Sequence, residues 1–160
     1  MLQKMVRLLT ANYIEHTDVS IKIMAVLIGK DNSIQINEDV FNTICKTLKR
    51  YHYETGGIIG TNENGVVSMF QFDYIQNPNF YEYYPNIKFL NRVINEEWKN
   101  KSISFVGFVH SHLHNCEISK QDIEYARHIL ANNKSYNTII LGIVDLSKKS
   151  DFICWYSIEN

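Results

Sequence analysis

Ile103-Ser104-Phe105-Val106-Gly107-Phe108-Val109-His110-Ser111-His112 is the stretch on which the fold turns. From Ile103 to Val109 every residue but Ser104 is apolar or small. A continuous apolar run, rather than an alternating one, reads as a central strand covered on both faces. The run then gives way to two histidines one residue apart. Residues two apart on an extended chain point the same way. His110 and His112 are therefore expected to project together from one side of the strand's end.

Outward from this strand the chain alternates hairpins and helices. Val19 to Ile28 is mostly apolar and β-branched and reads as a strand, followed by a turn at Lys30-Asp31-Asn32 and a short strand, Ser33 to Ile36. Asn37 can cap a helix with Glu38 and Asp39 in its first turn, where the helix dipole favours anions. Val40, Ile44, Leu48 and Tyr51 then recur at helical spacing, and the helix is expected to end near Tyr51. Gly56 to Thr61 and Val66 to Ile75 flank the hairpin signal Asn62-Glu63-Asn64-Gly65. Gln76 to Pro85 holds both prolines and reads as a long surface loop. Pro85 fits the first turn of a second helix, with Phe89, Leu90, Val93, Ile94 and Trp98 as its apolar face. A third helix starts at Ser119 and turns Ile123, Ala126, Ile129 and Leu130 inward. Thr138 to Val144 and Asp151 to Ser157 are the last strands. This mixed order predicts an α+β domain with a mixed sheet rather than a doubly wound parallel one.

The 160 residues suffice for one domain with a sizeable core. A net charge of −1 gives no electrostatic case for nucleic acid. No Lys/Arg run marks a membrane-surface patch, and Ile23 to Ile28, the longest apolar stretch, is too short to span a bilayer. The amino terminus lacks a long apolar core and a small-residue cleavage site, so a cytoplasmic protein is expected. Cys45, Cys116 and Cys154 form no CxxC pair, which argues against a disulfide framework or a Cys-rich zinc knuckle. Cys45 and Cys154 read as core fillers.

His110, His112 and Asp122 make an inventory for a divalent metal. Asp122 falls in the first turn of the third helix, and the loop from His112 lets the chain reverse and return that carboxylate. Two imidazoles and one carboxylate leave the fourth tetrahedral position open, as a catalytic zinc requires. Zinc is expected because the chemistry inferred is hydrolytic; affinity order alone does not separate it from other first-row metals. Glu54, at a strand entry before Gly56-Gly57, is the candidate general base. Ser119 is the candidate donor to a tetrahedral oxyanion. Each has a plainer reading. Ser119-Lys120-Gln121-Asp122 also spells a capping box, Glu54 a solvated carboxylate, and Gly56-Gly57 a simple turn. HExxH, a P-loop, GxGxxG and the deaminase pattern are all missing.

At Glu54, His110-Ser111-His112, Ser119 and Asp122 the chain resembles the JAMM (JAB1/MPN/Mov34) metalloprotease family. Glu54-Thr55-Gly56-Gly57-Ile58-Ile59-Gly60 and Phe105-Val106-Gly107-Phe108-Val109 look like the strands of its prokaryotic, JAB-domain branch. The resemblance covers roughly residues 33–157. It implies a cytidine-deaminase-like JAB/MPN fold, a central mixed sheet with about three helices. No Ser/Gly/Pro-rich linker splits the chain, so a single domain over 1–160 is expected, with 1–32 as an extension or first strand and 33–157 as its core. The implied activity is that of a Zn2+-dependent peptidase or isopeptidase cutting after the carboxyl-terminal tail of a ubiquitin-like or sulfur-carrier-like protein. In it His110, His112 and Asp122 would bind the zinc, Glu54 would activate water and Ser119 would steady the oxyanion. An extended tail would add as a strand to an exposed edge, with Phe80-Tyr81-Glu82-Tyr83-Tyr84 either rimming the groove or packing on the second helix.

Two departures stand out. The spacer from His112 to Ser119 has six residues where the family has seven, and Leu113 replaces a common proline. The shorter loop either tightens or misplaces Asp122. His114 and Cys116, within it, read as loop residues or as extra ligands. The alternative function is a metal-free MPN-type scaffold that binds partners. A nucleic-acid-related variant of the family, whose motif begins His-Asn-His-Pro, fits neither Ser111 nor Leu113.

Overall fold

A computed structural model describes residues 22–28, 32–74 and 81–159. Residues 1–21, 29–31, 75–80 and 160 lie outside the described residues, and with them the start of the strand expected from Val19, most of the turn expected at Lys30-Asp31-Asn32 and half of the loop expected from Gln76 to Pro85. The chain runs β1 (Ile23–Ile28), β2 (Asn32–Asn37), α1 (Glu38–Leu48), β3 (Gly56–Thr61), β4 (Val66–Phe72), α2 (Ile87–Arg92), β5 (Ser104–His112), α3 (Lys120–Asn132), β6 (Thr138–Asp145) and β7 (Ile153–Glu159). A wide π-type turn, Val93–Trp98, and a tight 3-10 turn, Lys99–Lys101, extend α2. All seven strands join one sheet in the order β1-β2-β4-β3-β5-β6-β7. Pairings are antiparallel except β2 with β4 and β5 with β6, which are parallel. The sheet is mixed and carries helices, as the order of sequence signals predicts. Its curl brings the edge strands β1 and β7 together.

The apolar run forms the middle of this sheet. β5 lies between β3 and β6, and Phe105, Phe108 and Val109 are buried. One face packs on α1 through Ile36, Phe41, Ile44 and Leu48; the other packs on α2 and α3 through Leu90, Trp98, Ala126 and Leu130. A bulge places two residues of β5 against one step of β3: Gly107 opposes Ile59 and Phe105 opposes Gly60, leaving Val106 unpaired. The bulge resets the alternation. Phe105 and Phe108 consequently share the α3 face, and His110 and His112 follow Phe108 at two-residue steps.

Several boundaries moved, each for a local reason. α1 begins where expected, with the Asn37 side chain accepting from the Asp39 N–H at 2.8 Å. It stops at Leu48, a turn before Tyr51, whose ring stacks instead on Phe72. Asn86, not a residue before Pro85, caps α2 by accepting from the Phe89 N–H at 3.2 Å. Pro85 thus precedes the helix. Val93 and Trp98, five apart, are both buried. An α-helix would present Glu97 there, and the π-type turn is what swings Trp98 beneath Gly60, where a β-carbon would meet its ring at 2.7 Å. The Asn62–Gly65 hairpin is present, with Gly65 at φ +74°. Among the described residues no helix is long and apolar enough to cross a membrane.

Candidate metal centre

His110 and His112 end β5 with their Nε2 atoms 2.9 Å apart. The parallel strand β6 runs beside them, pairing Ile143 with His110 and Asp145 with His112. The six-residue loop that follows returns the chain to Ser119, the N-cap of α3. Both halves of the capping box form: the Asp122 N–H donates to Ser119 Oγ at 3.1 Å, and the Ser119 N–H donates to Asp122 Oδ2 at 2.9 Å. That box orients the Asp122 carboxylate backward over the helix start. Its Oδ1 lies 3.2 Å from His110 Nε2, and its Oδ2 lies 3.6 Å from His112 Nε2. The three candidate ligand atoms sit within 4.8 Å of one another. The shortened loop therefore tightens and delivers Asp122 to the histidines. Ser119 donates its hydroxyl to Asp122 Oδ2 at 2.7 Å, so its hydrogen supports the carboxylate in this arrangement.

Glu54 enters from β3's side of the sheet and lines the same cavity as the three. A motif residue to which the sequence assigns no role brings it there. Ser111, between the histidines, points to the opposite face and is wholly buried. Its N–H donates to the Thr55 carbonyl at 2.8 Å, and its Oγ accepts from the Thr55 N–H at 3.0 Å. This bracket extends the β3–β5 pairing past Gly56 and holds Glu54 beside the histidines. Gly56 is required there: a β-carbon would come within 2.7 Å of His110 Cβ, the Tyr83 ring and the Val109 carbonyl.

Electrostatics separate the two carboxylates. Burial pushes the Glu54 carboxyl up, against the pull of His112 and His110 and a hydrogen bond from the Leu113 N–H. Burial would push Asp122 up too, but hydrogen bonds from His110 and His112 outweigh it and hold Asp122 well below the usual carboxylate range. Burial lowers the His112 imidazole, and the Asp122 hydrogen bond with the charge of Glu54 more than reverses this. One acid is thus firmly ionised while its neighbour is held closer to protonation, a division that suits ligand and proton carrier.

Within the aromatic segment one ring turns toward His110 rather than onto α2, and two others stand at the rim. Tyr83 packs inward, its ring stacked on His110 with centroids 6.0 Å apart. Tyr81 and Tyr84 stand exposed at the rim. Phe80 lies outside the described residues. His114 is exposed and does not join the ligand cluster. Cys116 turns away and donates its thiol to the Ile143 carbonyl at 3.3 Å. Cys45 is a core residue; Cys154 is only half-buried and shares a hydrogen bond with Cys116.

No family model matches the chain, and no curated protein matches it in sequence. Solved structures do. The chain is similar to protein DSY2949 from Desulfitobacterium hafniense, with a TM-score of 0.53 and 15% identity over 76% of this chain and 80% of that one. It also superposes on AF2198, a JAB1/MPN domain protein from Archaeoglobus fulgidus, with a TM-score of 0.43 and 15% identity over 75% of this chain and 83% of that one. The second superposition is too loose to argue from. The first shows a shared fold and nothing finer, so the chemistry rests on this chain's own residues.

Proposed function

We propose that this chain is a zinc-dependent peptidase or isopeptidase of the JAMM type, cutting after the carboxyl-terminal tail of a ubiquitin-like or sulfur-carrier-like protein. One observation carries the reading: two imidazole nitrogens and a carboxylate converge within 4.8 Å, and Glu54 lines the same cavity. The donor set fits zinc. The two Nε2 atoms lie 2.9 Å apart, and the Asp122 oxygens stand 3.2 and 3.6 Å from them. His110, His112 and Asp122 would hold the ion. Zinc supplies Lewis acidity and lowers the pKa of a coordinated water from 15.7 to about 7.

The chain's own residues do the rest. Glu54, raised by burial and anchored by the Leu113 N–H, takes the proton of the attacking water and hands it to the leaving amine. Ser119 holds Asp122 and serves an oxyanion only by turning its hydrogen away from that carboxylate. β5 already has a strand on each side. A substrate tail therefore enters over the cavity mouth beside the 81–87 segment.

Metal analysis and cleavage test this reading together. One zinc per chain is expected, lost in His112→Ala. Glu54→Gln is expected to keep the metal and fail to cleave a ubiquitin-like fusion. A chain that binds no zinc, or cleavage that persists in Glu54→Gln, overturns it.

A further inference from the structure

Four large apolar or aromatic side chains stand exposed among the described residues: Tyr74, Tyr81, Tyr84 and Ile87. Single exposed apolar residues need no explanation, but a cluster of them around a cleft marks a binding site. Three of the four, Tyr81, Tyr84 and Ile87, line one cavity of about 470 Å³ whose polar end is His110, His112, Asp122 and Glu54. That size falls within the range of small-molecule sites.

The inner wall is apolar as well. Phe108 and Leu141 form its base, and Tyr125 meets Phe108 edge-on at 5.3 Å between ring centroids. Tyr83 contributes a ring rather than a polar group, because its hydroxyl is committed to Asp73 at 2.9 Å. The charged lining residues besides the histidines are Glu54, Glu82 and Asp122; no Lys or Arg is among them. Along these walls a free carboxylate or a phosphate would find no cation, and only the metal position at the polar end would attract it. A glycine would leave the apolar wall in water.

We propose that this cavity is a specificity pocket that takes one large apolar or aromatic side chain, of the leucine or phenylalanine class, from a residue flanking the scissile bond. The inference rests on the peptidase reading and sharpens it: a substrate with glycine on both sides of the bond is a poor one. Burying such a side chain rather than a glycine gives at least about tenfold in affinity.

The test pairs binding with cleavage. The protein as purified, with and without added zinc, is titrated with N-acetylphenylalaninamide and N-acetylglycinamide while Ile87 methyl and Tyr84 ring resonances are followed by NMR. In parallel, peptides carrying Gly, Leu, Phe or Glu on either side of the bond are offered for cleavage. The phenylalanine probe is expected to shift both signals at concentrations at least tenfold below those of the glycine probe. Leu and Phe peptides are expected to be cut at least tenfold faster than Gly or Glu peptides. Ile87→Trp, at a half-exposed helix start, fills the mouth and should remove the preference; Tyr84→Ala provides a second variant outside the core. Selective binding with no peptide cleaved supports the pocket and counts against the hydrolytic reading. Equal response to both probes, or equal cleavage of Gly and Phe peptides, overturns the pocket and leaves the peptidase reading standing.

Discussion

Tyr83 donates its hydroxyl to the buried Asp73 carboxylate at 2.9 Å while its ring stacks on His110. The same Asp73 oxygen accepts the Asn86 N–H at 2.6 Å, just where α2 is capped. Asp73 therefore ties the end of β4, the aromatic segment and His110 into one unit. Asp73→Ala would strand a half-buried hydroxyl and an amide. An unsatisfied buried group costs about 1–3 kcal/mol, so a loss of about 2–4 kcal/mol is expected in urea unfolding. Tyr83→Phe should cost less, about 1 kcal/mol, because the ring and its stacking remain.

Ser111 gives a different signature. Its bracket to Thr55 positions Glu54, whereas His110, His112 and Asp122 are held from β5 and α3. Ser111→Ala is expected to retain zinc by metal analysis and to lose turnover. Its stability should fall by about 1–3 kcal/mol for the unpaired Thr55 N–H. Loss of zinc in parallel with turnover would show that the bracket supports the ligands rather than Glu54.

Two glycines separate packing from site geometry. A β-carbon on Gly107 would run into the Ile140 backbone of β6. Neither strand can yield without breaking the ladder, so Gly107→Ala should cost about 3 kcal/mol or more in thermal unfolding. At Gly56 the obstacles are the Val109 carbonyl, His110 Cβ and the Tyr83 ring. Gly56→Ala should weaken zinc binding even where the fold survives, as measured by competition with a chelating dye.

Acid and base act on the cluster in opposite senses. The lowered Asp122 contributes stability above its ordinary value of about 3.9 and loses it as pH falls below that. The raised His112 contributes fully below about 6.5 and loses its share as pH rises through its folded value. Glu54, raised by burial, adds to the same decline from about 4.3 upward. Metal-free protein in chelator should therefore lose thermal stability from about pH 5 to 8, less steeply in Glu54→Gln. With zinc the trend should reverse over this range, since metal must displace protons from the histidines. Scanning calorimetry across pH, with zinc and with chelator, distinguishes the two slopes.

The three thiols should react in a set order. Cys45 is wholly buried, and burial pushes its thiol up to about 12. Cys116 is lowered by the hydrogen bond from Cys154, whose own thiol is raised by the same contact. Thiolate character sets reactivity. Iodoacetamide mapped by mass spectrometry should label Cys116 first and Cys45 only on unfolding.

Much of this molecule is legible from local pattern. The continuous apolar run marks β5 as central, because a strand with both faces covered has no polar face to show. The two-residue step of His110 and His112 puts them on one side, because strand side chains alternate. The spacing of Ser119 and Asp122 announces a capped helix, and that cap is what aims the carboxylate. Helical spacing places Trp98 on the apolar face, yet the π-type turn that buries it leaves no local mark: its ring fills the space beneath Gly60, a contact across the sheet. Pro85 misplaces the helix start by two residues, because Asn86 supplies the capping oxygen and the helix begins only at Ile87.

Chain order therefore established the donors, their elements and the side from which each projects, since these follow from periodicity and hydrogen bonding within a few residues. It was silent on whether a loop of six closes far enough to bring position 122 to the histidines, and on which neighbour draws Glu54 in. It was equally silent on how the tyrosines split between wall and rim. Those outcomes depend on contacts between residues dozens of positions apart, such as Ser111 with Thr55 and Tyr83 with Asp73 across the packed sheet. Such contacts exist only once the whole sheet has assembled.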